Sequence, residues 1–324
     1  MSERTRQERH YDVVVVGGGA AGLSGALALV RARRSVLVVD DGRPRNATAA
    51  RTHNFFTRDG TPPGELLATG RAEVTSYGGE IAADAVVAAE RRDAGFRVSL
   101  AAGQPVAARR LLVATGLVDE LPDVPGLAER WGRDVLHCPY CHGWEVRDRA
   151  IGVLATGPLA ARQALMWRQW SADVTLLTHR SPEPGPEEYE RLAARGVCVV
   201  PGRVTGLEAP HDELTGVRLA DGRRLPCRAL VVEPRFTARA DALASLGLAA
   251  AEERSAGEVV GSSVAAEPSG ATDVPGVWVA GNVTSLSDQV IGAAAAGVQA
   301  AQAINSDLVD EDTRRAVAAR RAAG

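Results

Sequence analysis

Apolar residues along the chain form short unbroken runs that are separated by glycine-rich turns. The first run, residues 13–16, ends at three consecutive glycines; an alanine- and leucine-rich segment then extends to Val30, and a second run covers residues 35–40. A continuous run of β-branched residues is typical of a strand buried on both faces of a parallel sheet. The first forty residues therefore predict a strand, a helix and a second strand in a βαβ unit.

The same order of segments returns midway along the chain. An apolar run at residues 150–155 precedes a turn at Thr156 and Gly157, residues 162–170 have helical character, and residues 173–178 predict a strand. Two such units predict an α/β protein with two doubly wound Rossmann-like domains.

Further segments complete the pattern. A strand that ends at residues 114–116 precedes a proline-rich stretch, residues 121–126, which has the composition of a linker. Late in the chain, residues 276–282 predict a strand and a turn, and an alanine-rich helix follows at residues 292–304. The charged tail from Asp310 could continue that helix or be frayed, and we assign it no function.

Composition and charge exclude several classes of protein. The formal net charge of −3 gives no indication of nucleic acid or membrane as a partner. All 37 basic residues are arginine, which excludes chemistry that depends on a lysine side chain. The sequence has no apolar run of about 18 residues, the length that a membrane span needs, and no signal-like N-terminus. We therefore expect a cytoplasmic protein.

Three glycines follow the first strand at the spacing of a dinucleotide-binding turn. Gly17 permits the tight turn, Gly19 lets the backbone approach a pyrophosphate, and Gly22 lets the helix pack closely on the strand. The N-terminus of the helix offers N–H groups to phosphates. Asp40 ends the next strand, where a carboxylate would accept hydrogen bonds from ribose hydroxyls. These residues predict a dinucleotide site.

Cys138 and Cys141 are separated by two residues, and His137 and His142 flank the pair. Two thiols at this spacing can close a disulfide in which one thiolate expels the other. An imidazole beside them could take up their protons, because a free thiol titrates near about 8.5 and histidine near about 6.5. His142 is the better candidate base because it directly follows Cys141.

The alternative interpretation of this motif is half of a zinc site. Such a site needs two further ligands at close spacing, and Cys198 and Cys227 do not supply that spacing. We therefore favour a redox pair and expect no metal. Cys198 and Cys227 lie in apolar, strand-like contexts, and we expect both to be inert core residues.

The motifs and their order resemble those of low-molecular-weight thioredoxin reductases over nearly the whole chain. The resemblance implies an FAD-binding domain of residues 1–116 and 237–324, interrupted by a smaller NAD(P)-binding-like domain, residues 117–236, that carries the cysteine pair. It also implies that Cys141 faces the flavin and that Cys138 exchanges with substrate. The residues that it implies for FAD binding are Gly17, Gly19, Ala20, Ala21, Gly22, Asp40, Asp41, Arg45, Asn46, Ala114, Thr115, Gly116, Gly281, Asn282, Gln289 and Val290.

The second unit departs from a reductase that oxidises NADPH. In the family that the chain resembles, arginines after the second strand hold the 2′-phosphate. This chain keeps His179 and Arg180 but has Ser181 and Gly185 in place of two further arginines, and glutamates follow. Each lost hydrogen bond to a phosphate removes roughly 1.5–3 kcal/mol. The use of NAD(P)H is therefore in doubt, although binding of NADH, or of NADPH in another way, stays open.

The segment Cys-Pro-Tyr-Cys-His-Gly-Trp-Glu, residues 138–145, is similar to that of dithiol oxidases of the holomycin and gliotoxin type. In that branch a small-molecule dithiol reduces the enzyme disulfide, the cysteines reduce FAD, and molecular oxygen reoxidises the flavin to give hydrogen peroxide. The resemblance also implies a homodimer. The alternatives are an NAD(P)H-dependent thioredoxin or disulfide reductase and a flavin-bearing module without turnover.

Four aromatic residues lie in or near these motifs. They are candidate walls of an apolar substrate pocket, with ordinary core packing as the alternative: Phe55, Phe56, Tyr140 and Trp144.

Overall fold

A computed structural model describes residues 8–255 and 257–323. The helices are α1 (Ala20–Arg31), α2 (Pro63–Ser76), α3 (Pro139–His142), α4 (Ala160–Trp167), α5 (Pro186–Ala194) and α6 (Val290–Ala322). The strands up to the cysteine pair are β1 (Arg9–Val16), β2 (Val36–Asp40), β3 (Glu80–Ala83), β4 (Val86–Arg92), β5 (Gly95–Leu100), β6 (Val106–Val113), β7 (Leu117–Glu120) and β8 (Val135–Leu136). The later strands are β9 (Ile151–Leu154), β10 (Val174–Leu177), β11 (Cys198–Val200), β12 (Val204–Glu208), β13 (Gly216–Leu219), β14 (Arg224–Pro226), β15 (Ala229–Val232), β16 (Arg235–Ala238), β17 (Ala250–Ser255), β18 (Glu258–Val264) and β19 (Val277–Val279).

The first sheet has the order β3-β2-β1-β6-β5-β4, and β19 pairs with the second half of β6. The strands β1, β2, β3 and β6 run parallel. Val13 and Val15 of β1 pack against α1 and α6, whereas Val14 and Val16 belong to the cluster on the opposite face. Burial on both faces explains the unbroken apolar run and confirms the predicted βαβ unit.

The second sheet is entirely parallel, in the order β11-β10-β9-β15-β8. One face packs against α4 and α5 around the fully buried Trp167. The other face packs against the antiparallel sheet β12-β13-β14. The predicted α/β class with Rossmann-like units is thus confirmed. The short helix α3, with the cysteine pair, follows the edge strand β8.

A third sheet, β17-β18-β16-β7, lies where the chain passes between the other two. The strands β7 and β16 pair antiparallel, from Arg235 opposite Glu120 to Ala238 opposite Leu117. The chain leaves the first sheet through β7 and returns to it through β16. The boundaries expected at residues 116 and 236 fall at the start of β7 and within β16.

Helix α6 extends well past the predicted end at residue 304. Arg110 contacts Asp307 and Glu311, and Arg109 contacts Asp312, so ion pairs hold the charged half of the helix against β6. The tail from residue 310 is therefore helical as far as Ala322. In the described part of the chain, none of the helices is both long enough and apolar enough to cross a bilayer.

Candidate active site

The turn after β1 is built for close backbone approach. Gly17 has φ +106°, and a Cβ there would lie 2.5 Å from the carbonyl oxygen of Ala114. A Cβ at Gly22 would lie 1.9 Å from the carbonyl oxygen of Gly17. At Gly19, the N-cap of α1, an added Cβ would meet no protein atom within 4 Å. The backbone of the turn therefore faces open space at the N-terminus of α1, as a phosphate group requires.

Asp40 supports this turn from the end of β2. Its carboxylate accepts a hydrogen bond from the N–H of Gly18 at 3.0 Å and one from Arg71 Nη2 at 3.1 Å. A carboxylate has about four acceptor sites, so two remain for a ligand in the cavity that Asp40 lines.

A cavity of about 590 Å³ extends from the glycine turn to the cysteine pair. This volume is within the range of sites that bind small molecules and cofactors. Of the residues predicted from the sequence, the cavity lining contains Gly17, Gly19, Ala20, Ala21, Asp40, Asp41, Arg45, Asn46, Ala114, Thr115, Gly116, Asn282, Gln289 and Val290, together with His137, Cys138, Cys141 and His142.

Gly22 and Gly281 do not line the cavity. Gly22 lies beneath the glycine turn, and Gly281, with φ +76°, packs so that a Cβ would lie 2.9 Å from Ala21 Cβ. The side chain of Asn282 donates hydrogen bonds to the carbonyl oxygens of Ser285 (2.8 Å) and Asp288 (3.1 Å). Asn282 thus shapes the segment that leads into α6 and keeps its amide oxygen for another partner.

Sequence reasoning missed several residues of this lining, notably Arg43, Thr52, His53 and Arg239. Thr52 is 4% exposed, and its buried hydroxyl has no hydrogen-bond partner in the described structure. Three of these residues lie in the irregular segment between β2 and α2, where neither periodicity nor a motif marks them. A buried hydroxyl with an unmet hydrogen bond at the cavity wall fits a polar ligand there.

The cysteine pair forms a disulfide around the first turn of α3. Cys138 is the N-cap, and its Sγ accepts a hydrogen bond from the N–H of Cys141 at 3.2 Å. Gly143 lets this turn approach Trp170, since a Cβ there would lie 2.8 Å from the indole nitrogen. The hydrogen bond favours a thiolate on Cys138 once the disulfide opens.

The two histidines beside the pair have different surroundings. His137 meets the ring of Phe236 edge-on at 5.0 Å, and burial, assisted by the charge of Arg45, lowers the pKa of His137 to about 4. Burial also lowers the pKa of His142, but the carboxylate of Glu145 opposes this effect. His142 is therefore the better proton acceptor of the two.

The remaining cysteines differ from each other. Cys227 is buried, and burial raises the pKa of its thiol to about 12, in keeping with an inert core residue. Cys198 is exposed, so the expectation that it lies in the core is wrong. It begins β11, the edge strand of the second sheet.

The four aromatic residues neither line the cavity nor lie in the core. Phe56, Tyr140 and Trp144 are 82%, 57% and 66% exposed, and Phe55 is half-buried. Tyr140 lies on α3 and Trp144 follows it, whereas Phe55 and Phe56 follow Asn54, whose side chain contacts the carbonyl oxygen of Tyr140. None of the four belongs to the lining of the main cavity, and their role as walls of a substrate pocket stays a prediction.

A second cavity, of about 640 Å³, covers the carboxyl ends of β9 and β10. Arg180 and His179 line it, and burial and the neighbouring Arg180 lower the pKa of His179. Ser181, which stands where the resemblance implies an arginine, also lines the cavity. The carboxylates in this lining belong to Asp123, Glu183, Glu188 and Glu258. The cavity has the position of a nucleotide site and a lining that repels phosphate.

A family model described as pyridine nucleotide-disulphide oxidoreductase matches residues 11–301. The chain belongs to this oxidoreductase family. Thioredoxin reductase tcpT of Claviceps purpurea (strain 20.1) is 35% identical over 316 residues, which cover 92% of this chain and 94% of tcpT. Thioredoxin reductase sirT of Leptosphaeria maculans is 31% identical over 319 residues, which cover 93% and 95%. The crystal structure of HlmI is similar with a TM-score of 0.89 and 46% identity, over 98% of each chain.

These matches confirm the predicted resemblance to thioredoxin-reductase-like flavoproteins of the holomycin and gliotoxin type. Membership of the pyridine nucleotide-disulphide oxidoreductases implies a bound flavin and an oxidoreductase that acts on thiols and disulfides. The Cys138–Cys141 disulfide, which faces the main cavity, is the group in this chain that fits such chemistry.

Proposed function

We propose that this protein is an FAD-dependent dithiol oxidase that closes an intramolecular disulfide in a small-molecule natural product, with molecular oxygen as electron acceptor and hydrogen peroxide as product. The lining of the second cavity carries the proposal. Four carboxylates line the cavity that would take NADPH, and Arg180 is the lone arginine among the described residues of this lining. Reducing equivalents would therefore enter through the cysteine pair.

The main cavity fits FAD on observations of this chain. The open backbone at Gly19 would take the pyrophosphate, Asp40 has acceptor sites for ribose hydroxyls, and Thr52 has a hydroxyl without a partner. The other lining residues predicted from the sequence complete the proposed site. When bound, the flavin supplies a two-electron acceptor that oxygen can reoxidise.

The protein residues perform the thiol steps. A substrate thiolate attacks Cys138 Sγ, the Cys138–Cys141 bond breaks, and Cys141 leaves as a thiolate. His142 takes the proton of the second substrate thiol, whose sulfur attacks the substrate sulfur of the mixed disulfide. Cys138 leaves as a thiolate. The substrate, which entered as one thiolate and one thiol, has then lost two electrons and one proton; the cysteine pair holds the electrons beside the cavity, and His142 holds the proton.

The substrate would approach from the solvent side of α3. Tyr140 of α3 and Trp144 just after it are exposed, as is Phe56 of the segment that contacts α3 through Asn54. Exposed aromatic rings near a reaction centre suit a small substrate with an apolar or aromatic body. We propose that they contact the dithiol outside the main cavity.

An NAD(P)H-dependent thioredoxin or disulfide reductase is the second candidate. The names of tcpT and sirT favour it, as does the retention of Arg180 in the second cavity.

We further propose that the protein is a homodimer and that it is cytoplasmic. We also propose that the chain divides into an FAD domain, residues 1–116 and 237–324, and an inserted domain, residues 117–236.

A peroxide assay tests the proposed function. The purified yellow protein is mixed in air with a small dithiol, and hydrogen peroxide is measured against disulfide formed. We expect one molecule of hydrogen peroxide per disulfide formed and loss of activity in Cys138→Ser. The control Cys198→Ser should keep its activity, because it removes an exposed thiol on β11 that is not part of the cysteine pair. Disulfide formation without oxygen uptake, or an active Cys138→Ser variant, would contradict the proposal.

A further inference from the structure

The segment between β2 and α2 contains a closed loop, residues 51–61, that contacts α3, the short helix that follows Cys138. The N–H of Thr52 donates to the carbonyl oxygen of Thr61 at 2.8 Å, and the N–H of Gly60 donates to that of Thr52 at 2.9 Å. Arg51 Nη1 adds a hydrogen bond to the carbonyl oxygen of Gly60 at 2.8 Å. These bonds fix both ends of the 51–61 loop and hold its tip in place.

Two side chains of the 51–61 loop reach the turn that carries the cysteines. Asn54 Nδ2 donates to the carbonyl oxygen of Tyr140 at 2.7 Å. His53 Nε2 lies 3.3 Å from Glu145 Oε1. Asp59 braces both residues: its Oδ1 accepts from the N–H of Asn54 at 2.9 Å, and its Oδ2 lies 3.3 Å from His53 Nδ1.

Glu145 follows the candidate base by three residues, and its N–H donates to the carbonyl oxygen of His142 at 3.2 Å. Burial lowers the pKa of His142 most strongly; the Glu145 carboxylate raises it, and His53 lowers it further. Three further titratable groups lie near these residues: Asp59 contacts His53, and His137 and Asp288 line the same cavity as His142.

We propose that Glu145 and His53 are positioning residues for His142. His53, braced by Asp59, holds the Glu145 carboxylate on the turn that carries His142, the proposed acceptor of the substrate thiol proton. Without this bridge the carboxylate, which is partly exposed, is free to turn into solvent. The inference rests on the proposed role of His142 as base, but it concerns the ionisation of His142 and can be measured without turnover.

The test is a titration of the histidine signals in NMR spectra of the oxidised holoprotein. The chain has six histidines, so the spectrum is sparse, and His142→Gln assigns the signal of interest. We expect Glu145→Gln to lower the pKa of His142 by about 0.5 to 1 unit, because a nearby opposite charge is removed. Glu145→Asp should restore part of the shift, and Glu129→Gln, an exposed glutamate outside the site, should produce none.

His53→Gln separates positioning from a direct charge effect. If His53 acts by holding Glu145, its loss lowers the pKa of His142, and the double variant with Glu145→Gln titrates no lower than Glu145→Gln alone. A rise in the pKa of His142 in His53→Gln, or an unchanged pKa in Glu145→Gln, would overturn the proposal. Absence of peroxide with these pKa shifts present would instead remove the proposed function and leave the positioning role intact.

Discussion

Asp119 accepts two hydrogen bonds from Arg45, from Nε to Oδ2 at 2.9 Å and from Nη2 to Oδ1 at 2.6 Å. The guanidinium held in this way lies 5.3 Å from the ring centroid of Phe236, and His137 meets the same ring edge-on. A fixed positive charge thus lies near a buried imidazole. Burial, assisted by this charge, lowers the pKa of His137 to about 4, so that the histidine is neutral at neutral pH and accepts protons poorly.

The two histidines should therefore respond differently to substitution. His142→Gln should lower the rate of dithiol oxidation on the order of 10²- to 10⁴-fold, as expected for loss of a general base. His137→Gln should change it by less than about tenfold, since a histidine with a pKa of about 4 is a weak base at neutral pH.

The pH dependence of the rate provides the check. In the unmodified protein the rate should fall as the pH drops through the pKa of His142, which burial holds below the usual value. This acid limb, the fall in rate at low pH, should persist in His137→Gln and vanish in His142→Gln. Retention of the limb in His142→Gln would show that another group is the base.

His137 should also make the folded protein sensitive to acid. Its pKa is about 4 when folded and about 6.5 when unfolded, so between these values the unfolded chain binds a proton that the folded chain does not. Stability is therefore full above the unfolded pKa and declines as the pH falls towards about 4. Urea unfolding should show His137→Gln losing less stability than the unmodified protein between about pH 7 and about pH 5, by about 2 kcal/mol. Parallel losses in both proteins would show that His137 is protonated in the fold.

Thr52→Val tests whether the buried hydroxyl serves the cofactor. The two side chains have nearly the same shape, and the hydroxyl has no protein partner to lose. We expect the apoprotein to keep its stability or gain slightly, and FAD to bind about 2- to 10-fold more weakly, which corresponds to one hydrogen bond. Flavin titration by fluorescence measures the affinity. Unchanged FAD affinity would mean that the hydroxyl faces something other than the cofactor.

Ser181→Arg tests the acidic second cavity. An arginine at the rim would supply a charged hydrogen bond to a 2′-phosphate, so NADPH binding should strengthen on the order of tenfold. Ser181→Gln has similar reach without the charge and should leave binding weak. Calorimetry with NADPH and NADH measures both. Tight NADPH binding by the unmodified protein would contradict the argument from the carboxylates.

Local chemistry explains how much could be predicted from the sequence. The βαβ unit, the glycine turn and Asp40 all lie within one short segment, where spacing fixes the geometry, and the cysteine pair is equally local. The sequence did not indicate Thr52 or the contact of His53 with Glu145, because the intervening segment has no periodicity and its partner lies far along the chain. The exposure of Cys198 could not be predicted either, because an edge strand and a central strand have similar apolar compositions. Only the order of strands in the sheet shows that β11 lies at an edge.

The most direct test of the central claim is anaerobic reduction of the bound flavin, followed by its absorbance after rapid mixing. A small dithiol should bleach the flavin, and readmitted air should restore the colour with release of peroxide. NADPH and NADH at the same concentration should leave the flavin oxidised over that time. Rapid bleaching by either nicotinamide cofactor, with no bleaching by the dithiol, would contradict the oxidase and establish the reductase in its place.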